Sequence, residues 1–217
     1  MLGDIGCYTL GAQPPLTALD STLCMGASIG GVHGFNKVMN NVKSVAVIGD
    51  STFVHSGITG LINIAYNRSN STVLVLDNSI TGMTGHQENP TTGYNIKGEP
   101  SAKIDIEALC KSIGIGRVKV IDPYNLKECE RVILEELEAA EPSVIIARRP
   151  CALLKSFSAG DTIKINENCI GCKMCMKLGC PAISMKDGKA SINTTLCVGC
   201  GICKQMCAVG AMESEAK

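Results

Sequence analysis

Ser44-Val-Ala-Val-Ile-Gly-Asp50 is a run of β-branched and small apolar residues that stops on Gly-Asp, and Ser71-Thr-Val-Leu-Val-Leu-Asp-Asn78 repeats the pattern one helix-length later. Runs this short and this evenly apolar read as strands buried on both faces, the mark of a parallel sheet covered by helices. On the N-terminal side, Thr22–Val42 reads as a buried helix whose glycines allow close backbone approach. Between the two runs, Ser56–Asn67 reads as the connecting helix. Residues 79–100 are a loop rich in Gly, Thr, Asn and Pro, followed by a helix (Ile104–Ile113), a strand (Arg117–Ile121), an amphipathic helix (Leu126–Ala139) and a strand (Pro142–Ala147). The acidic residues of Glu128–Glu141 read as a solvated helix face. Strictly alternating strands and helices predict an α/β fold, a parallel sheet wrapped by helices.

Such sheets bind ligands at the carboxyl ends of their strands. Asp50 and Asn78 fall at two such ends, on consecutive strands joined by one helix, so they are expected side by side. One charged and one neutral oxygen ligand suit Mg²⁺ holding a diphosphate, with the remaining positions left to phosphate oxygens and water.

The C-terminal part changes character. It reads Cys169-x2-Cys172-x2-Cys175-x4-Cys180-Pro181 and then Cys197-x2-Cys200-x2-Cys203-x3-Cys207, two runs of four cysteines offset by 28 residues. This is the bacterial-type ferredoxin pattern for a pair of 4Fe–4S clusters, in which the fourth cysteine of each run ligates the other cluster. Cys169, Cys172, Cys175 and Cys207 are therefore assigned to one cluster, and Cys197, Cys200, Cys203 and Cys180 to the other. The run around Cys180 has four intervening residues instead of three, and Ala208 follows Cys207 where Pro is usual. Zinc is the competing reading of Cys-x2-Cys, but it uses two pairs of thiolates and leaves the third cysteine of each triplet without a role. The shift in composition predicts a domain over 1–155 and a small α+β, bacterial-ferredoxin-like domain over 156–217.

The remaining cysteines (Cys7, Cys24, Cys110, Cys129 and Cys151) follow no pairing pattern, and the formal net charge is zero with no basic run. That argues against nucleic acid or an anionic membrane as the main partner. No apolar run approaches the length of a membrane span, and the N-terminal residues show neither a signal h-region nor a transit-peptide composition. A reducing cytoplasm is the expected setting.

Gly49-Asp50-Ser51 with Asn78 resembles the Gly-Asp-Gly…Asn signature of thiamine-diphosphate enzymes. Three further stretches add to it: Thr81-Gly-Met-Thr-Gly-His-Gln-Glu-Asn-Pro90, Cys24-Met-Gly-Ala-Ser-Ile-Gly30 and Gly3-Asp-Ile-Gly-Cys-Tyr-Thr-Leu-Gly11. With the double-cluster tail, the whole chain is similar to the 2-oxoacid:ferredoxin oxidoreductases, and within them to the indolepyruvate:ferredoxin oxidoreductase alpha subunits. The resemblance implies that Asp50, Asn78 and the backbone carbonyl of Ile80 ligate Mg²⁺. It implies that Gly49 and Ser51 let the backbone approach the diphosphate, Ser51 standing where Gly is usual, and that Met25, beside Gly26, wedges beneath the thiazolium ring. A packed core methionine is the alternative for Met25. His55 and His86 are the histidines nearest the expected site and the candidates for substrate binding or proton transfer; a solvated loop histidine is the alternative for His86. His33 reads as a packed helix residue.

The resemblance also implies partners. Thiamine chemistry needs a carboxylate beside the aminopyrimidine ring, and in this class a pyrimidine-binding domain or subunit supplies that glutamate. A second oxidoreductase subunit, an external ferredoxin, a 2-oxoacid and coenzyme A complete the set. The family carries a cysteine-rich, histidine-containing segment upstream of Gly3–Gly11, so the chain is expected to be the distal part of a split or longer subunit, inactive alone. Two other readings stay open: a ferredoxin-like electron-transfer protein whose larger domain is a docking scaffold, and an oxidoreductase acting on pyruvate or another 2-oxoacid.

Overall fold

In a computed structural model that describes residues 1–39 and 42–215, the two apolar runs are adjacent strands inside one all-parallel sheet. Its strands are β1 (Leu2–Gly3), β2 (Ser21–Thr22), β3 (Ser44–Gly49), β4 (Ser71–Asp77), β5 (Arg117–Ile121) and β6 (Ser143–Arg148), in the order β2-β1-β3-β4-β6-β5. Successive side chains of a strand point to opposite faces, and β4 shows the consequence. Val73 and Val75 join Val144 and Ile146 under α1 (Ala27–Val38), α3 (Ile58–Tyr66) and α4 (Ile106–Ile113), where Ile29, Val32, Leu61, Ile64 and Ile106 complete the core. Leu74 and Leu76 point the other way, toward Ile145, Ala147 and Val132 of α5 (Leu126–Glu138).

The expected elements are present with differences. The helix expected over Thr22–Val42 is α1, Ala27–Val38; part of the expected stretch, residues 40 and 41, lies outside the described residues. It is not buried throughout: its outer face leaves Phe35 and Val38 exposed among the described residues. The helix after β3 begins at Asp50, not Ser56. A short α2 (Asp50–Thr52) passes through a π-helical turn (Phe53–Gly57) directly into α3. Such turns insert one residue into a helix and recur at functional sites. The acidic face of α5 also needs correction. Glu136 is 0% exposed, and Arg117 Nε donates to it at 2.7 Å, so this carboxylate is buried and paired while its neighbours remain solvated.

Beyond Arg148 the chain leaves the sheet and forms a small α+β unit. Here β7 (Thr162–Ile165) pairs antiparallel with β10 (Met212–Glu215), and β8 (Ile183–Lys186) with β9 (Lys189–Ile192). A 3₁₀ turn (Met174–Leu178) and α6 (Ile202–Met206) occupy corresponding places in its two halves. Its core is separate from that of the sheet and is built from Ile163, Ile183, Met212 and the cysteines. Among the described residues no helix is long and apolar enough to cross a membrane.

Candidate cofactor and electron-transfer sites

The parallel register sets Gly49 beside Leu76, so the chain leaves β3 and β4 at the same level and the two carboxyl ends open into one cleft. Met25, Gly49, Asp50, Ser51, Asn78 and Ile80 all line it, and its volume is about 860 Å³ including the open mouth. Gly26 lies just behind, as the left-handed residue that caps α1 (φ 87°), where a side chain would collide with Ser56.

Asp50 is 2% exposed. Its Oδ1 accepts the Ser51 N–H at 2.7 Å, and the Thr91 hydroxyl stands 3.5 Å from Oδ2. Burial, reinforced by the nearby Asp77 charge, pushes its carboxyl up to about 6. Among the described residues no lysine or arginine forms an ion pair with it. A buried carboxylate without a counter-charge is costly, and a divalent cation meets that need. Asn78 Oδ1 accepts the Ile80 N–H at 3.2 Å, and Ser79 between them is left-handed (φ 59°), which turns the chain sharply at the cleft wall. The donor set fits a hard cation: carboxylate, amide oxygen and backbone carbonyl, all oxygen. Ser51, in the position usually held by Gly, accepts a hydrogen bond from the Thr81 hydroxyl at 2.8 Å and so ties the loop after β4 to the helix start.

Sequence reasoning gave no role to the residues that roof this cleft. Asp4, 0% exposed, accepts the Gly26 N–H at 2.8 Å and both the N–H and hydroxyl of Ser28, clamping the N-terminal segment to the start of α1. That clamp sets Tyr8, whose hydroxyl oxygen accepts the Gly49 N–H at 3.0 Å; burial raises the phenol well above its ordinary value. Cys7, Thr81 and Thr84 also line the cleft. The signal that pointed to Asp4, Cys7 and Tyr8 was the motif Gly3–Gly11, where Asp4 and Tyr8 stand four residues apart, and to Thr81 and Thr84 the stretch Thr81–Pro90.

The histidines are not brought to the cleft. His55 is exposed on the π-helical turn, with Nδ1 3.1 Å from Ser56 Oγ, and lines an adjoining groove with Ser51 and Thr84. His86 is exposed and left-handed (φ 65°) at the tip of a turn that the Thr81–Gln87 bridge closes, and does not line the cleft. His33 is half-buried against Ser69, a packed helix residue as expected.

In the small unit the eight cysteines sort into two quartets. Cys169, Cys172, Cys175 and Cys207 line one apolar cavity with Ile165 and Met185. Cys175 is pushed up by burial and then by the charges of Cys172, Cys169 and Cys207, while Cys203 is pushed up to about 11 by burial and then by Cys200, Cys180 and Cys197. The fourth cysteine of each run thus stands with the triplet of the other. Backbone N–H groups aim at the sulfurs, from Ala190 to Cys169 (3.4 Å) and from Ala211 to Cys207 (3.2 Å). Gly171 and Lys173 in one loop, and Gly199 and Gly201 in the other, are left-handed at matching positions. Alternation of this kind turns amides toward an anionic centre, as around iron–sulfur groups. Among the described residues no three His, Cys, Asp or Glu side chains converge as they would on a single ion; four thiolates on a cubane bind four separate irons. The residues fit such a group.

Comparison with known proteins places these features. The family described as "Thiamine pyrophosphate enzyme, C-terminal TPP binding domain" matches residues 4–147. The chain is 44% identical over 210 residues to indolepyruvate oxidoreductase subunit IorA of Archaeoglobus fulgidus, covering 94% of this chain and 34% of that protein. It is 42% identical to the subunit of the same name from Pyrococcus horikoshii (97% and 36%) and 39% identical to that from Methanothermobacter marburgensis (99% and 35%). The chain therefore spans about a third of the length of the curated relatives it matches. Among solved structures, the 2-oxoglutarate:ferredoxin oxidoreductase of Magnetococcus marinus superposes with a TM-score of 0.61 at 18% identity, over 72% of this chain and 55% of that one. Benzoylformate decarboxylase of Polynucleobacter necessarius gives 0.51 at 19% identity, over 70% and 31%. The parallel sheet and its strand-end cleft are thus a known thiamine-dependent architecture, and the chain belongs to the thiamine pyrophosphate enzyme family through its C-terminal TPP-binding domain.

Proposed function

We propose that this chain is the cofactor-binding and electron-transfer part of a 2-oxoacid:ferredoxin oxidoreductase acting on indolepyruvate or a related arylpyruvate. One observation carries the reading: a cleft with a buried, uncompensated Asp50 beside Asn78 and Ile80 sits on the same polypeptide as two crossed cysteine quartets. Residues 1–155 form the thiamine-diphosphate domain and 156–217 a ferredoxin-like domain, a division supported by their separate hydrophobic cores.

Thiamine diphosphate, when bound, stabilises the carbanion left as a 2-oxoacid loses CO₂. Asp50, Asn78 and the Ile80 carbonyl hold Mg²⁺ on the diphosphate, and Ser51 and Gly49 bring the backbone against it. Tyr8 fixes the Gly49 amide so that this approach keeps its shape. Met25, which lines the same cleft, would pack against the rings. Each quartet would hold a 4Fe–4S cluster, supplying one-electron transfer toward an external ferredoxin, and coenzyme A would take the acyl group. A pyrimidine-binding domain or subunit supplies the activating glutamate, together with the second oxidoreductase subunit, in a cytoplasmic assembly. His55, in the groove that adjoins the cleft through Ser51 and Thr84, stands nearer to it than His86.

The test is Mg²⁺-dependent binding of thiamine diphosphate by anaerobically purified chain, with the partner subunit present. Asp50→Ala is expected to weaken binding at least ~100-fold, since a lost charged ligand to a buried group costs several kcal/mol, with iron and sulfide content unchanged. Absence of binding by the native chain would instead favour a docking scaffold with an electron-transfer tail.

A further inference from the structure

The two quartets are not equivalent toward the cleft. Every residue lining the Cys169/Cys172/Cys175/Cys207 cavity lies between Ile165 and Met212, so that quartet is enclosed by the small unit alone. The other quartet touches the sheet domain in several places. Gln205, on the same short helix α6 that carries Cys203 and midway in sequence between Cys203 and Cys207, donates to the Tyr124 carbonyl (2.7 Å) and accepts the Leu126 N–H (3.0 Å) just past the end of β5. Gly179, next to Cys180, packs against Pro15. Cys200 is a charge neighbour of both Tyr124 and Arg149. Arg149 is held there tightly: its guanidinium lies 4.1 Å over the Tyr124 ring, and Nε donates to Asp122 Oδ1 at 2.7 Å.

This contact connects directly to the cleft. The Arg149 N–H donates to the Asp77 carbonyl and the Cys151 N–H to the Asn78 carbonyl, both at 2.9 Å. The strand-end segment 149–151 is thus hydrogen-bonded on one side to the residue assigned to the metal, and its arginine stacks on Tyr124, whose carbonyl holds Gln205 of α6, within electrostatic reach of Cys200.

We propose that the quartet Cys180, Cys197, Cys200 and Cys203 is the entry point for electrons leaving the cleft, and that Arg149 is a positioning residue whose fixed charge raises the reduction potential of that quartet's cluster. The inference rests on the function proposed above. A 2-oxoacid and a thiol give a thioester, CO₂, a proton to solvent and a pair of electrons. The electrons move singly, to the Cys200 quartet, then to the Cys175 quartet, then to an external one-electron carrier, each cluster cycling between its 2+ and 1+ states. A cation beside the thiolates favours the reduced, more negative state, so the entry cluster accepts electrons readily.

The experiment is a potentiometric titration, followed by electron paramagnetic resonance, of the full chain reconstituted anaerobically with iron and sulfide. Arg149→Met is expected to lower the midpoint of one cluster by roughly a tenfold change in its reduction equilibrium, about 59 mV for one electron, and to leave the other unmoved. Arg149→Lys should recover most of the shift, and Asp122→Asn, which removes the arginine's counter-ion, should raise the same midpoint. In a Cys172→Ala background the Arg149→Met shift should persist; in a Cys200→Ala background it should vanish. If both midpoints or neither move in Arg149→Met, or if the shift survives loss of Cys200, the inference is wrong. If the native chain forms no cubane spectrum at all, the cluster reading itself fails. Should Arg149→Met prove unstable, the opposite shifts expected of Arg149→Lys and Asp122→Asn relative to it reduce to one check: Asp122→Asn must raise one midpoint only.

Discussion

The sheet domain and the cysteine-bearing unit solve the same problem, holding charged cofactor ligands in place, by opposite means. In the sheet domain the ligands are few and the apolar core is large: Phe53, Ile48, Ile146 and their neighbours lock β3 and β4, and Asp50 and Asn78 ride on their ends. In the small unit the ligands are themselves part of the core. Cys175 and Cys203 are buried within it, and Cys169, Cys180, Cys197 and Cys207 pack against it. A core this small rarely supplies much stability without staples or metal. On the function proposed above, the first region is a finished scaffold that waits for its cofactor, whereas the second would be finished by it.

The largest expected effect follows directly. Stripping iron from the chain should abolish hydrogen-exchange protection across 162–215 while β3, β4 and β6 keep theirs; equal protection in both regions without iron would erase the contrast. Next in size, Phe53→Ala opens a cavity under the sheet and should cost about 3–5 kcal/mol in denaturant unfolding, with the visible absorption of the small unit unaltered until the sheet melts.

The third concerns Asp50. Its folded carboxyl is raised to about 6 by burial, so between about pH 4 and 6 the folded chain holds a proton that the unfolded chain has lost, and stability falls as pH rises. Over that window the metal-free chain should lose at most about 3 kcal/mol, at 1.36 kcal/mol per pKa unit, and Asp50→Asn should flatten the slope. Mg²⁺ needs the ionised form, so its binding should tighten as pH rises through about 6, as calorimetry would report. The smallest is Tyr8→Phe, which leaves the Gly49 amide without its partner and should cost about 1 kcal/mol. A neutral result there would mean that water replaces the phenol.

The strands were legible because β4 carries its own signature: every residue from Thr72 to Leu76 is apolar or β-branched, and only a sheet covered on both faces requires that. Asp50 and Asn78 were legible for the same reason, since strand ends follow from strand positions. What escaped depends on contacts distant in sequence. Asp4 meets Gly26 and Ser28 across more than twenty residues, and Tyr8 meets Gly49 across forty-one. Neither leaves a local pattern. Glu136 looked like its acidic neighbours because an acidic run hides which position turns inward until Arg117 is placed opposite. His55 and His86 were expected near the site from their place in the chain, but the π-helical turn and the tip of the 79–100 loop carry them outward. The crossed assignment of the cysteines was legible because the spacing is itself a geometric statement, and the cavity shared by Cys169, Cys172, Cys175 and Cys207 is compatible with it.

The pairing of β7 with β10 has one more consequence. The first and last strands of the small unit lie side by side, so the segment enters and leaves through the same ladder. A module with adjoining ends can be joined to a host by a single tether without threading through it, as a plug is carried on a cord. The backbone of Tyr124 and Leu126 then acts as the socket, gripping Gln205 and deciding which way round the plug is seated.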